Sequence, residues 1–222
     1  MTSRMRIVSF GDIHMALDAI DQLASALRQA DLVIVSGDLT NFGGREDAAQ
    51  VVAAVEQCTR QLLAVSGNLD QREVMDLLCE RGISLHGEAR HVGDLGIFGC
   101  GGSNFTPFRT PTEFSEEELG ALLERGYRQV SNARHVLMVC HTPPVNTATD
   151  RIFNGQHVGS PTVRAFIEEH QPEVCITGHI HESAGVDRIG RTTVVNAGLL
   201  REGGYIVVSL GANGLSAALK HL

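Results

Sequence analysis

Seven side chains with oxygen or imidazole donors stand just past the ends of apolar runs. They are Asp12 and His14 in SFGDIH, Asp38 in VSGDLT, Asn68 in VSGNLD, His141 in VCHTPP, and His179 and His181 in TGHIH. Asp12 and His14 are two apart, as are His179 and His181. In an extended chain alternate side chains point the same way, so each pair can reach one ion. Asp38 and Asn68 follow Gly37 and Gly67, residues that let the backbone turn sharply and approach closely. A mixture of carboxylate, amide and imidazole suits borderline first-row ions. Seven donors are too many for one ion, whereas two ions sharing a carboxylate use them all.

Such a set needs elements that deliver it to one place. Met5–Phe10, Leu32–Val35 and Leu62–Val65 are short apolar runs with strand character. Between them, residues near 15–30 place Leu17, Ile20, Leu23, Ala24 and Leu27 on one helical face, and Asp47–Gln57 does so with Ala48, Val51, Val52 and Val55. Arg72–Arg81 is a third helix. Alternating strands and helices predict βαβ units in a largely parallel sheet, where ligands bind beyond the carboxyl ends of the strands. Asp12, Asp38 and Asn68 fall just there. Further strands are expected at Arg90–Val92, Leu95–Gly99, His135–Cys140 and Val174–Thr177, with three or four more after Ser183. Ser115 with Glu118 forms a capping box, and Ser160-Pro161 opens another helix. A glycine- and aromatic-containing loop over 101–114 and an exposed loop over 142–159 are expected beside the site. Two strand-rich halves with helices outside imply two sheets face to face.

Composition bounds the rest. With 222 residues, 43% hydrophobic and 20% charged, the chain can fill a core and is not expected to be disordered. No apolar run reaches the roughly 20 residues needed to span a bilayer. The N-terminal MTSRMRIVSFGD runs straight into a strand, so a signal peptide is not expected. Five scattered cysteines with no CxxC pair fit neither a disulfide framework nor a zinc knuckle, and a reducing cytoplasm is the simplest setting. A net charge of −8 argues against a nucleic-acid wrapper. It leaves room for an anionic substrate, because two divalent ions would outweigh the two aspartates of the site.

The ordered blocks resemble the calcineurin-like metallophosphoesterase superfamily, whose pattern is DxH, GD, GNH followed by an acid, a lone His, and GHxH. The likeness runs from about residue 6 to 198 as spaced blocks. It implies an α/β fold, a four-layer αββα sandwich of two mixed sheets with helices outside; with no internal repeat, low-complexity stretch or clear linker, the whole chain, 1–222, is expected to be one domain. It implies that Asp12, His14 and His181 hold one ion, that Asn68, His141 and His179 hold a second, and that Asp38 bridges them. The ions would be manganese, iron, zinc, nickel or cobalt, with manganese or iron favoured. The implied chemistry is hydrolysis of a phosphate ester by a hydroxide bridging two ions about 3.5–4 Å apart.

The family's GNH block reads Gly67-Asn68-Leu69-Asp70 here. The missing histidine commonly positions the phosphate and assists the leaving group, and a leucine does neither. Asp70 matches the acid that orients that histidine, with a turn or capping role as its alternative. General-acid help is worth about 10²–10⁴-fold, so good leaving groups or phosphodiesters are expected substrates. His157 in GQHVGSP is the candidate replacement acid, and the nearby start of the Ser160 helix could point amides at an anion. Asn104, Phe108 and Arg109 are candidates for binding the rest of the substrate. The expected protein is a cytoplasmic, dinuclear-metal phosphodiesterase or phosphatase acting on a small phosphate ester. Neither nucleic acid nor membrane is expected as a partner, and oligomeric state stays open. The alternative is a non-catalytic, metal-binding interaction scaffold on the same fold. A repair-type nuclease and a nucleotide-sugar lipid pyrophosphatase fit less well, for want of a basic stripe and of a longer apolar insertion.

Overall fold

The computed structural model describes residues 5–212 and 214–222. In chain order the elements are β1 (Met5–Phe10), α1 (Leu17–Arg28), β2 (Leu32–Ser36), α2 (Arg45–Glu56), β3 (Leu62–Val65), α3 (Arg72–Glu80), β4 (Ala89–Val92), β5 (Leu95–Cys100), β6 (Ser103–Asn104), β7 (Glu113–Phe114), α4 (Glu116–Arg128), β8 (His135–Cys140), α5 (Pro161–His170), β9 (Val174–Thr177), β10 (Gly185–Ile189), β11 (Thr192–Asn196), β12 (Gly204–Gly211) and β13 (Gly214–His221). One sheet runs β13-β12-β1-β2-β3 and the other β10-β11-β9-β8-β5-β4, with β6 and β7 forming a small pair of their own.

Both large sheets are mixed. β1, β2 and β3 are parallel, and β12 is antiparallel to both β1 and β13. In the second sheet β5, β8, β9 and β11 are parallel, flanked by antiparallel β4 and β10. The first sheet is therefore parallel only at its centre and β3 side, while the glycine-punctuated tail completes it with an antiparallel hairpin.

Strand alternation sorts side chains into three apolar layers. Ile7, Ile34, Leu63 and Val65 point from the first sheet onto Ile97, Leu137, Val139, Ile176 and Val195 of the second. Their neighbours Val8, Phe10, Val33 and Val35 point outward and meet Ile20, Leu23 and Leu27 of α1 and Val51 and Val55 of α2. On the far side Phe98, Met138 and Cys175 meet Leu119 and Leu123 of α4 and Phe166 of α5. This is the four-layer αββα sandwich. The helices form because their apolar residues recur at three and four positions and find a sheet face to cover. α4 begins with the full capping box, and Ser160 caps α5 with Pro161 in its first turn.

All five cysteines are free thiols. No helix among the described residues is long and apolar enough to cross a membrane.

Candidate metal centre

The carboxyl ends of β1, β2, β3, β8 and β9 converge at one edge, and backbone hydrogen bonds knit their loops together. Asp12 N–H donates to Gly37 O at 3.0 Å, Ile13 N–H to Asp38 O at 2.8 Å, and Gly178 N–H to His141 O at 3.0 Å. The first pair is not extended, contrary to what its spacing suggests. Asp12, His14, Asp38 and His179 all hold left-handed φ, between 46° and 69°, and His181 starts a single tight turn, His181–Ser183. Left-handed backbone at non-glycine residues is uncommon and strained, at about 1–3 kcal/mol each. Here tight turns, rather than strand alternation, aim the side chains together. The two glycines behave as expected. A side chain at Gly67 would overlap the Asp38 carboxylate, and one at Gly37 would strike the His141 ring.

The seven donors meet in two groups. Donor atoms of Asp12, His14, Asp38 and His181 lie within 4.8 Å of one another. His14 Nε2 is 3.1 Å from His181 Nε2, which is 3.2 Å from Asp12 Oδ1. In the second group Asn68 Oδ1 is 3.1 Å from His141 Nε2 and 2.7 Å from His179 Nδ1. Asp38 touches both groups, with Oδ2 at 4.0 Å from His14 Nε2 and 3.6 Å from His141 Nε2.

Tautomers decide what this geometry means. A carbonyl oxygen only accepts, so His141 Nδ1, 2.9 Å from Ser36 O, carries a proton, and Nε2 is the nitrogen turned toward the site. Asn68 Nδ2 donates to Thr110 Oγ1 at 3.0 Å, which turns Oδ1 inward. Asn68 Oδ1 and His141 Nε2 thus face each other at 3.1 Å with a carboxylate beside them, a cluster that holds a proton in the metal-free protein and can exchange it for a metal ion. Asn68 Oδ1 and His141 Nε2 are close enough together for one first-row ion to take both as ligands. His14 is oriented in the same way, with Nδ1 on Thr40 O at 3.3 Å. Such partners behind a ligand fix its tautomer.

The electrostatics agree. Burial disfavours a charge on His141, but the Asp38 and Asp12 carboxylates overcome it and push its pKa up to about 10. His181 is raised by Asp12 against the same burial effect. Burial, helped by the neighbouring His141 charge, lowers His179 to about 4, leaving it neutral and available as a ligand. Asp38 stays below its usual range because His141 and His14 outweigh its burial. A field that holds an extra proton on a buried histidine will also hold a metal cation.

The remaining candidates are placed differently. Asp70 is buried and accepts from Leu39 N–H, Thr40 N–H, Thr40 Oγ1 and Gly67 N–H at 2.8–3.1 Å. It clasps the β2 and β3 loops together, the local role of its two readings. His157 Nδ1 is 2.6 Å from Asp150 Oδ1, and its Nε2 accepts from Arg151 Nε at 3.2 Å. Both ring nitrogens are engaged within their own loop, so an acid role would require the Arg151 contact to break. The start of α5 is no anion site: Glu116 already accepts from Ser160 Oγ and Thr162 N–H there. Asn104 joins the two loops through Nδ2 to Val158 O at 3.4 Å, and Arg109 is exposed with a left-handed φ of 53°.

The 142–159 loop is less open than its composition suggests. Thr147, Thr149 and Asp150 are buried, and Asp150 collects Asn146, Thr147 and Gly159 N–H groups besides His157. Asn196, which sequence reasoning passed over, donates to Thr149 O and Ile180 O and so anchors the GHIH turn. An asparagine closing an apolar run, as Asn68 does, was the available signal. Thr40 and Thr110 carried none.

Comparison with known proteins agrees with this geometry. The profile of the calcineurin-like phosphoesterase superfamily domain matches residues 5–208. An uncharacterised protein of Methanocaldococcus jannaschii is 35% identical over 204 residues, covering 88% of this chain and 89% of its own. A UPF0046 protein of Caenorhabditis elegans is 28% identical, covering 92% and 73%. Among solved structures, a Thermus thermophilus protein superposes with a TM-score of 0.73 at 18% identity over 97% and 99% of the two chains. A dimetal phosphatase from Danio rerio gives 0.64 at 14% identity over 96% and 98%, a likeness of fold. With its profile match spanning nearly the whole chain and its seven donors gathered at one edge of the sandwich, this protein belongs to the calcineurin-like phosphoesterase superfamily.

Proposed function

We propose that the protein hydrolyses a phosphate ester with the help of two divalent first-row ions. Asp12, His14 and His181 would hold one, Asn68, His141 and His179 the other, and Asp38 both. The observation that carries this reading is the pair of inward-facing ligand atoms, Asn68 Oδ1 and His141 Nε2, turned to the site by their outer partners beside a buried carboxylate. A bound ion pair of this kind supplies an activated water and a clamp for phosphoryl oxygens. The chain itself positions the donors through Thr40, Ser36 and Thr110. It leaves no histidine at Leu69, whose N–H donates to Asp38 Oδ1 at 2.8 Å while its side chain has no proton to give.

The test is turnover of bis-p-nitrophenyl phosphate and p-nitrophenyl phosphate by stripped protein reloaded with Mn²⁺, beside His179→Ala. Metal-dependent turnover that disappears in the variant supports the reading. Two bound ions with no turnover of either ester would move the assignment to a metal-binding scaffold. Leu69→His is expected to raise turnover of an alkyl monoester by about 10²-fold, and that of p-nitrophenyl phosphate far less, since only poor leaving groups need the acid. An equal change on both esters would argue against that account.

Metal binding should also release a proton. In the metal-free protein His141 titrates near 10 rather than its ordinary 6.5. Its charge therefore stabilises the fold below about 6.5, and that contribution is lost as pH rises through about 10. An incoming ion must displace the proton, so Mn²⁺ affinity is expected to tighten across this window. Calorimetry at pH 8 in buffers of differing ionisation enthalpy should show about one proton released. Affinity unchanged between pH 7 and 9 would contradict the site as drawn.

A further inference from the structure

The chain has eight phenylalanines. Phe10, Phe98 and Phe166 fill the cores, whereas Phe42, Phe105, Phe108 and Phe153 are 55%, 69%, 82% and 94% exposed. Those four lie on loops that follow β2, β6 and β8, each of which is hydrogen-bonded to a donor or to the turn that carries one. Phe42 stands two residues past Thr40, whose carbonyl orients His14, and its own carbonyl accepts from Gln71 Nε2 at 2.9 Å. Phe105 and Phe108 lie between Asn104 and Thr110, whose hydroxyl orients Asn68. Phe153 stands two residues past Arg151, whose N–H donates to Ser183 Oγ at 2.8 Å in the turn begun by His181. Asn104 reaching Val158 joins the loops of Phe105, Phe108 and Phe153, and His14 meets His181 beside them.

Four large apolar side chains left in water within a few residues of groups that orient the donors are placed to meet an apolar part of a ligand bound there. Two exposed cations share these loops, Arg109 and Arg151, suited to the anionic part of the same ligand. Left-handed φ at Phe42 (60°) and Arg109 (53°) shows that tight turns present these two side chains.

We infer that the phosphoester carries, on an ester oxygen that is not cleaved, a large apolar group held against these exposed phenylalanines. The inference rests on the hydrolase reading above and names the substrate class of that same site. Aromatic rings would stack on the phenylalanines and aliphatic chains would lie across them.

The experiment uses Mn²⁺-loaded protein and diesters that share a p-nitrophenolate leaving group and differ in the second ester: methyl, phenyl, naphthyl and octyl. The naphthyl-to-methyl ratio of kcat/KM is expected to exceed about tenfold and to fall several-fold in Phe108→Ser and Phe153→Ser. Because both side chains are exposed, thermal melts of the variants should match the parent. A preference for naphthyl over octyl marks a planar group, and the reverse marks an aliphatic one. Turnover with a flat series, or a preference unmoved by both variants, overturns the inference while leaving the hydrolase reading in place. No turnover of any diester overturns both.

Discussion

Asp38→Ala is expected to lower kcat/KM for a p-nitrophenyl diester by about 10³-fold or more, and to do so at every Mn²⁺ concentration. This one side chain reaches both donor groups: its Oδ2 lies 4.0 Å from His14 Nε2 and 3.6 Å from His141 Nε2. Its loss would remove the negative charge that the two proposed cations would need between them. Extra metal can refill a weakened site but cannot restore a shared ligand. The alanine also orphans Leu69 N–H, which donates to Oδ1 at 2.8 Å, at a cost of about 1–3 kcal/mol. Asp38→Asn separates the two effects, because it keeps an acceptor for Leu69 and loses the charge. Steady-state kinetics, bound metal per chain and a thermal melt on both variants make the comparison. If either variant keeps turnover within tenfold of the parent at saturating metal, a carboxylate-linked pair of ions is the wrong description.

Asp70→Ala should unfold the protein more readily than any other single change at this edge. The buried carboxylate takes three backbone N–H groups and a hydroxyl from two loops. Deleting it leaves three buried N–H groups unpaired at about 1 kcal/mol or more each, or about 3 kcal/mol or more in all, while the Thr40 hydroxyl keeps Gly43 O as an acceptor. For a chain of this size that corresponds to a fall in Tm of roughly 10 °C. The pH dependence has a definite sign. Burial, and then the charge of Asp38, raise Asp70 to about 6 from 3.8 against the opposing hydrogen bonds. The ionised form is therefore less welcome in the folded state than in the unfolded chain. Its cost is absent below about 3.8, grows through that interval and is complete above about 6. Asp70→Ala removes this cost along with the hydrogen bonds, so its deficit relative to the parent should narrow as pH rises from 4 to 7. A Tm change under roughly 3 °C would show that the clasp is not needed.

Much of the architecture was legible in the chain because it follows from local rules. Ile20, Leu23 and Leu27 recur at helical spacing, and Ile7 and Val8 alternate between two apolar layers, so elements and faces could be read residue by residue. Ser115 with Glu118, and Ser160 before Pro161, announced two helix starts that formed as expected. The donors were legible for a related reason. A polar ligand-type residue at the end of a buried strand has few structural excuses, and five such blocks narrowed the chemistry.

What stayed hidden depends on contacts between residues far apart in the chain. Asp12 and His14 looked like one face of an extended strand, yet both stand in left-handed turns and donate their N–H groups to carbonyls of the β2 loop. The start of α5 looked ready for an anion until Glu116, 44 positions upstream of Ser160, filled it. His157 looked available until Asp150 and Arg151 engaged its ring. By itself the sequence determined which residues carry chemistry and which elements carry them, since side-chain type and apolar period are local properties. Only the tertiary structure decided which way the donors face, which polar groups are already taken, and that four phenylalanines stand outside the core on loops that adjoin the site. Hydrogen-bond partners and exposure are set by what the folded chain brings alongside, and no local pattern encodes that.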